Sequence, residues 1–140
     1  MMVRIFSAVV LLTLALSAPA FAEPNMKEGM WEMAMKMDMQ GMPFAMPPMK
    51  FNQCITKKDM VPYKKEKGQD CDMVSTKISG DTVSWVVKCK DKHGTTESSG
   101  QITYEGEKFN GVINTTMTDA GGSSQKSKMN MSGRRIGACK

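Results

Sequence analysis

The sequence contains little of the chemistry on which most enzymes depend. Its 140 residues include a single histidine. This residue, His93, lies in a Lys-Asp-Lys-His-Gly stretch typical of an exposed turn. Acidic pairs such as Asp70 with Asp72 and Glu105 with Glu107 lie beside loops, and nothing distinguishes them as the carboxylate pair of a glycosidase. We therefore predict no catalytic residues and a protein that is not an enzyme.

Long hydrophobic segments are absent beyond the amino terminus. The chain begins with one basic residue, Arg4, followed by a short apolar stretch and small residues that end in Ala20-Phe21-Ala22. This three-part pattern is typical of a secretory signal peptide. A membrane anchor would need about 20 apolar residues, whereas Ser17 and Pro19 interrupt this stretch. We expect removal of residues 1–22 and a periplasmic protein without a transmembrane segment. The residue directly after the cleavage point is Glu23 rather than a cysteine, so we expect no lipid anchor either.

The remaining chain has no strong concentration of charge of one sign. The full sequence has 19 basic and 14 acidic residues. These are scattered except for a lysine-rich segment at 56–70, for which we predict a solvated loop. No aromatic residues interleave a basic stripe, so nucleic acid is not expected as a partner. Residues 23–140 have the length of a single domain with one core.

No two cysteines have the C-x-x-C spacing of a redox site, a zinc ribbon or a haem attachment site. An even number of cysteines in a short exported chain predicts two disulfides. Three connectivities are open, and we favour the one that pairs cysteines across the lysine-rich loop and fastens the carboxyl terminus. The cysteines are Cys54, Cys71, Cys89 and Cys139, and the favoured pairs are Cys54–Cys71 and Cys89–Cys139.

No segment has a strong helical pattern, and the periodicity is that of β-strands. Apolar residues alternate from Trp31 to Met39, which indicates a half-buried strand. Segments 72–78 and 82–90 flank a glycine turn at Ser79-Gly80-Asp81 and predict a hairpin. In its expected register, Ile78 faces Val83 and Val74 faces Val87.

Turns at regular intervals predict further strands near 98–105, 108–117 and 126–134. The fold class is therefore all-β. We expect a single antiparallel meander sheet, curled or partly closed into a small barrel, with two disulfides. The expected core residues after the first strand are Val83, Trp85, Val87, Cys89, Ile102, Tyr104, Phe109, Ile113, Met117, Met129 and Met131.

Several short elements together resemble a family of exported bacterial proteins, the domain of unknown function 3617. They are Gly29-x-Trp31, the stretch GMPFAMPPM, Cys54-Ile55-Thr56, Trp85 with Cys89 four residues on, and the ending Gly133-Arg134-Arg135-Ile136-Gly137-x-Cys139. The resemblance covers residues 26–140. It implies a periplasmic β domain with cysteine bridges, and it implies no activity.

Methionine is the one residue type in unusual abundance, with 16 in the sequence. Thioethers are neutral, soft donors that suit Cu(I) and Ag(I). Met42, Met46 and Met49 lie in a proline-rich loop at 41–49, where their side chains can converge, and Met39 can add a fourth donor. The alternating methionines from Met33 to Met39 are better explained as core. An exposed methionine surface is also suited to an apolar peptide or lipid.

The sequence thus predicts a non-catalytic periplasmic binding or interaction domain with an unidentified ligand or protein partner and no cofactor. The alternative is a methionine-rich Cu(I)/Ag(I) binding or carrier protein. Arg134 and Arg135 are predicted either to bind a carboxylate or phosphate or to protect an edge strand. Trp31 and Trp85 are expected in the core, or lining a ligand cavity if the sheet closes.

Overall fold

A computed structural model describes residues 23–44, 46–63 and 67–140. The described residues form seven antiparallel strands in one sheet, with one short 3-10 helix at Lys57–Asp59. The strands are β1 (Gly29–Met39), β2 (Met49–Ile55), β3 (Asp70–Ser79), β4 (Thr82–Asp91), β5 (Gly94–Tyr104), β6 (Lys108–Asp119) and β7 (Ser124–Gly137). The predicted all-β sheet is confirmed, and the expected signal peptide lies outside the described residues.

The order of the strands across the sheet is β2-β1-β7-β6-β5-β4-β3. Strands β3 to β7 follow one another as a meander, because glycine-containing turns join antiparallel neighbours. The amino-terminal hairpin β1–β2 then adds to β7, so that Met33 lies opposite Gly133. The sheet is not closed, and its two edges are β2 and β3.

One face of the sheet carries the core, which we call the inner face. Successive side chains of a strand point to opposite faces, and burial alternates accordingly in β1 and β4. The fully buried side chains are mainly apolar or aromatic. The core consists of Met26, Trp31, Met33, Ile55, Val83, Trp85, Val87, Ile102, Tyr104, Phe109 and Met131. Both tryptophans are therefore core residues.

The segment from 56 to 63, which we call the strap, covers part of the inner face. It leaves edge strand β2 and leads toward the opposite edge strand β3, so it must pass across the sheet. The hydroxyl of Tyr104 donates a hydrogen bond to the Met60 carbonyl at 2.8 Å, and Met60, Val61 and Tyr63 pack against the core. The packing of Met60, Val61 and Tyr63 shows that this part of the predicted loop is not wholly solvated, and residues 64–66 lie outside the described part.

Two glycines on the inner face make room for aromatic rings. Gly100 lies directly opposite Trp85, and a Cβ at Gly100 would stand 2.1 Å from Cζ2 of the indole. Gly133 lies opposite Phe109, with the ring 2.2 Å from the corresponding Cβ position. Each ring therefore lies flat over a neighbouring strand. The Phe109 ring also contacts Trp31, with ring centres 5.5 Å apart.

The favoured disulfide pairing was wrong. The bonds join Cys54 to Cys139 and Cys71 to Cys89. Cys71 and Cys89 are directly opposite each other in β3 and β4, which is a geometry that a short bridge can span. Met30 pairs with Cys54 on one side and with Gly137 on the other. The first bond therefore passes over the end of β1.

Two further predictions need correction, and one strand was not predicted. Val74 does not face Val87, because a bulge between Met73 and Ser75 shifts the register; Met73 lies opposite Val87 instead. Met117 is 52% exposed, because it lies near the end of β6, beside the turn to β7. Strand β2 was not predicted, because only one of its residues is buried.

The remaining correction concerns the two arginines near the carboxyl terminus. Arg134 and Arg135 do not protect an edge, because β7 lies between β1 and β6 in the sheet.

A candidate binding surface on the β1–β2 hairpin

Exposed apolar side chains concentrate at the tip of the β1–β2 hairpin. Phe44 is 80% exposed, and Met49, Met42 and Met46 are 57%, 52% and 44% exposed. No residue from Met39 to Met49 carries a charge. We call Met39, Met42, Phe44, Met46 and Met49 the methionine hairpin. Clustered exposure of this kind is unusual, whereas single exposed apolar residues are common.

Local sequence explains why this tip leaves the sheet. Pro43, Pro47 and Pro48 have no backbone N–H to donate to a strand ladder, so the ladder cannot continue through them. Gly41 adopts a φ of +89°, a conformation open to glycine. At the base, the Gln40 N–H donates to the Lys126 carbonyl at 3.2 Å. The tip is thus a loop that leaves the sheet at the end of β1, and a hydrogen bond to β7 holds its base.

Behind the tip, methionines continue across the inner face. Met35 pairs with Met49 of β2 and with Met131 of β7, so three thioethers lie on neighbouring strands in one row. In the next row Met37 lies opposite Met129. Burial is graded along the first row, because Met131 is 3% exposed and Met49 is 57% exposed. The methionine hairpin is therefore the exposed end of an apolar surface that begins in the core.

This gradient separates two roles for the methionines. Met33, at 3% exposure, is a core residue, which agrees with the packing interpretation of the alternating stripe. Met37 and Met39 are only half-buried. The strap contacts the Tyr104 side of the face and reaches Cys89, whose sulfur is 4.0 Å from the Tyr63 hydroxyl. On the inner face of β2 near the tip, Met49 is 57% exposed.

Four lysines lie on the outer face of the same three strands. Inner and outer residues alternate, and four exposed lysines occupy outward positions on β1, β2 and β7: Lys36, Lys50, Lys126 and Lys128. Asp38 lies among them, pairs in register with Lys128 and accepts a hydrogen bond from the Asn130 side chain at 3.2 Å. The strands behind the tip thus carry more positive than negative charge.

The four predicted metal donors, Met39, Met42, Met46 and Met49, all lie on the methionine hairpin. They are accessible to a ligand, and Met35 is adjacent to Met49 across the strands. Among the described residues, no group of three or more histidine, cysteine, aspartate and glutamate side chains is placed to hold a metal ion. A metal site in this part of the chain would therefore use thioether donors, which suit Cu(I) rather than hard cations.

The paired arginines are engaged within the protein itself. Arg134 Nε donates to Glu32 Oε1 at 2.9 Å, and this hydrogen bond and positive charge lower the pKa of Glu32. Arg135 Nε donates to the Glu28 carbonyl at 2.8 Å, and its guanidinium is 3.8 Å from Glu107. The carboxylates that these arginines bind therefore belong to their own chain.

The only histidine lies at a separate groove of about 350 Å³ between the β4–β5 and β6–β7 turns. The backbone N–H groups of His93 and Gly94 donate to the Asp91 carboxylate at 2.7 and 3.1 Å. The Asp119 carboxylate likewise accepts from Gly121 and Ser123. Both acids hold turns, in line with the expectation of an exposed turn histidine.

Phe44 was missed as a candidate, although the uncharged run of eleven residues around it was visible in the sequence. Within the described residues no helix is long and apolar enough to span a membrane.

The fold and the site define a class of small, disulfide-bonded domains built on an open antiparallel sheet with one exposed apolar hairpin. The chain belongs to the family described as Protein of unknown function (DUF3617), whose model matches residues 26–139. No curated protein and no solved structure matches the chain. The resemblance drawn from the short motifs is thus confirmed at the level of the family.

Proposed function

We propose that this protein is a non-catalytic binding domain of the periplasm and that the methionine hairpin is its binding surface. The observation that carries the proposal is the concentration of four strongly exposed apolar side chains on an uncharged tip. A contiguous exposed apolar surface rimmed by polar residues is characteristic of an interaction site. Methionine adapts to the shape of an apolar partner because its side chain is unbranched and polarisable.

Among the described residues these side chains are exposed rather than packed, and this exposure supports the same proposal. Other large apolar residues near the tip, such as Met33 and Met131, are buried at 3% exposure. Leaving Met42, Phe44 and Met46 in water instead forfeits the hydrophobic stabilisation that burial would provide, which is about 25 cal/mol per Å² of apolar area. A ligand that covers the tip would recover part of this free energy.

The test is a titration with a neutral apolar dye, N-phenylnaphthylamine, whose fluorescence rises on binding. We expect the wild-type protein to bind the dye, and we expect Met42→Ser/Phe44→Ser/Met46→Ser to weaken binding at least about tenfold. Val74→Ser/Ile136→Ser is the matched control, because these residues are 55% and 47% exposed elsewhere on the sheet. Unchanged dye binding by the hairpin variant would contradict the proposal.

The second candidate function is binding or transport of Cu(I) or Ag(I) by the hairpin methionines. It is favoured by the placement of Met39, Met42, Met46 and Met49 on one accessible hairpin, with Met35 opposite Met49. Three thioethers are a sufficient donor set for a soft monovalent ion, and they need no deprotonation.

A triple leucine variant separates the two candidates. Met42→Leu/Met46→Leu/Met49→Leu keeps bulk and apolarity while removing the sulfur donors. Under the copper hypothesis this variant loses anaerobic competition with a chromophoric Cu(I) chelator, whereas its dye binding stays intact. If the wild-type protein does not compete with the chelator, the copper hypothesis is refuted and the apolar surface remains.

A further inference from the structure

We propose that the partner of the methionine hairpin is the surface of an anionic lipid bilayer, into which the tip inserts. This inference rests on the proposed function, because it assigns a partner to the same surface. It goes further in naming the kind of surface to which the domain docks. The argument combines the tip's lack of charge, the position of Phe44 and the lysines on the strands behind it.

The tip has the chemistry required to enter the boundary between headgroups and acyl chains. Phe44, at 80% exposure, contacts little of its own protein, and residues 39–49 carry no charge that insertion would have to remove from water. Interfacial segments typically combine such an apolar part with a basic flank. The prolines also reduce the number of backbone N–H groups that would lose water on insertion.

The lysines supply charge complementarity to anionic headgroups. Lys36, Lys50, Lys126 and Lys128 are exposed on the outer face of β1, β2 and β7. Of the two acidic residues on this face, Asp38 already bonds to Asn130 and Glu32 to Arg134. The basic strands and the apolar tip therefore act on the same bilayer. Lysines within a Debye length of its negative surface are attracted to it while the tip inserts.

The exposed apolar residues chosen as controls do not combine these features. Val74 lies on edge strand β3 and Ile136 on the outer face of β7, 55% and 47% exposed. Ser75 and Lys77 follow Val74, and Arg135 precedes Ile136. Neither residue belongs to an uncharged run comparable with 39–49. The inference therefore concerns the methionine hairpin alone.

The first experiment is co-sedimentation of the protein, as residues 23–140, with vesicles of phosphatidylglycerol and phosphatidylethanolamine. We expect binding that weakens as ionic strength rises, because salt screens the lysines, and much weaker binding to phosphatidylcholine vesicles. Met42→Ser/Phe44→Ser should lower the partition coefficient at least about tenfold, while Val74→Ser/Ile136→Ser leaves it unchanged.

A charge series tests the basic flank separately. Lys36→Gln/Lys128→Gln should weaken binding to the anionic vesicles about tenfold without changing N-phenylnaphthylamine binding. Lys77→Gln/Lys108→Gln is the matched control, because both lysines are exposed on other strands. If the two lysine variants lose equal affinity for the anionic vesicles, the assignment of the basic flank to the lysines of β1, β2 and β7 is wrong.

Insertion itself is read from Phe44→Trp in vesicles whose acyl chains are brominated. The native tryptophans are buried at 0% and 3% exposure, so new quenching reports the introduced indole. We expect strong quenching for Phe44→Trp and none for Ile136→Trp. If vesicles do not bind although the dye does, the bilayer inference fails and the binding surface stands. If neither binds, both proposals fail.

Discussion

Gly100→Ala should destabilise the protein through the indole of Trp85. A Cβ at Gly100 would stand 2.1 Å from Cζ2, 2.4 Å from Cε2 and 2.7 Å from Cη2 of that ring. Ordinary contact begins near 3.4 Å, so the ring edge would have to move by roughly 1.3 Å. Trp85 is 3% exposed, and a densely packed core leaves no space for such a shift.

The magnitude follows from two opposing contributions. Overpacking of a core costs typically about 1–3 kcal/mol, and the severity of this contact places Gly100→Ala near the upper end. Replacing glycine by alanine also restricts the unfolded chain, which returns about 0.4–1 kcal/mol. The net loss in the free energy of unfolding is therefore about 2 kcal/mol, which lowers the melting temperature of a domain of this size by roughly 8 °C.

The matched control is Gly137→Ala, near the end of β7. No atom lies within 4 Å of its Cβ position, and its φ is outside the left-handed region. The substitution should therefore be neutral or raise the free energy of unfolding by up to about 1 kcal/mol. Urea denaturation followed by tryptophan fluorescence measures both variants.

A double-mutant cycle assigns the cost to the indole. In a Trp85→Phe background the ring is smaller, so the additional cost of Gly100→Ala should fall by at least about 1 kcal/mol. If Gly100→Ala and Gly137→Ala have equal effects, or if the cost of Gly100→Ala is unchanged by Trp85→Phe, the proposed packing of the ring over β5 is wrong.

Two further predictions concern proton binding and the disulfides. Burial, and to a smaller extent the charge of Asp59, raises the pKa of Tyr104 to about 12. Because an unfolded tyrosine titrates near 10, the folded chain holds this proton longer, and stability should fall as the pH rises from about 10 to about 12. Tyr104→Phe should remove this part of the fall, which is up to about 3 kcal/mol; an identical pH profile for the variant in chemical denaturation would refute the assignment. In the chain-entropy model the Cys54–Cys139 bond, with a separation of 85 residues, should contribute about 4–5 kcal/mol, against about 3 kcal/mol for Cys71–Cys89 with a separation of 18. Paired serine variants compared by denaturation should rank in that order, and the reverse ranking would contradict this account.

Local structure was largely predictable from the sequence. The alternation from Trp31 to Met39 identified β1, because a half-buried strand needs a period of two. The glycine at position 80 identified the β3–β4 turn, and Ile78 does face Val83. These features depend on neighbours in the chain, whose chemistry can be read directly.

Features that depend on distant segments were not predictable. The favoured disulfides were wrong because nothing local indicates that β1 lies beside β7 and so brings Cys54 near Cys139. Strand β2 was missed because its seven residues are held mainly by backbone pairing with β1, with Ile55 alone buried. The bulge at Val74 could not be predicted for a similar reason, because an added residue in one strand is recognised only from its pairing with the neighbouring strand.

The candidate site was predicted in part. The sequence indicated that Met42, Met46 and Met49 share a proline-rich loop free of a packing requirement, and all three are exposed. It did not indicate that Met35 joins Met49 to Met131 in one row, because that row needs the strand order. Periodicity also does not distinguish the buried Met33 from the half-buried Met37 on the same face, since burial of that face depends on segments distant in the sequence.

The central claim is that the methionine hairpin is a binding surface, and the most direct test is one dye titration of three proteins. They are the wild type, Met42→Ser/Phe44→Ser/Met46→Ser, and Val74→Ser/Ile136→Ser. Their melting temperatures are first shown to be equal, so that all three are compared in the folded state. The account predicts that the hairpin variant alone loses affinity for N-phenylnaphthylamine, by about tenfold or more. Equal affinity in all three proteins, or an equal loss in the two variants, would contradict it.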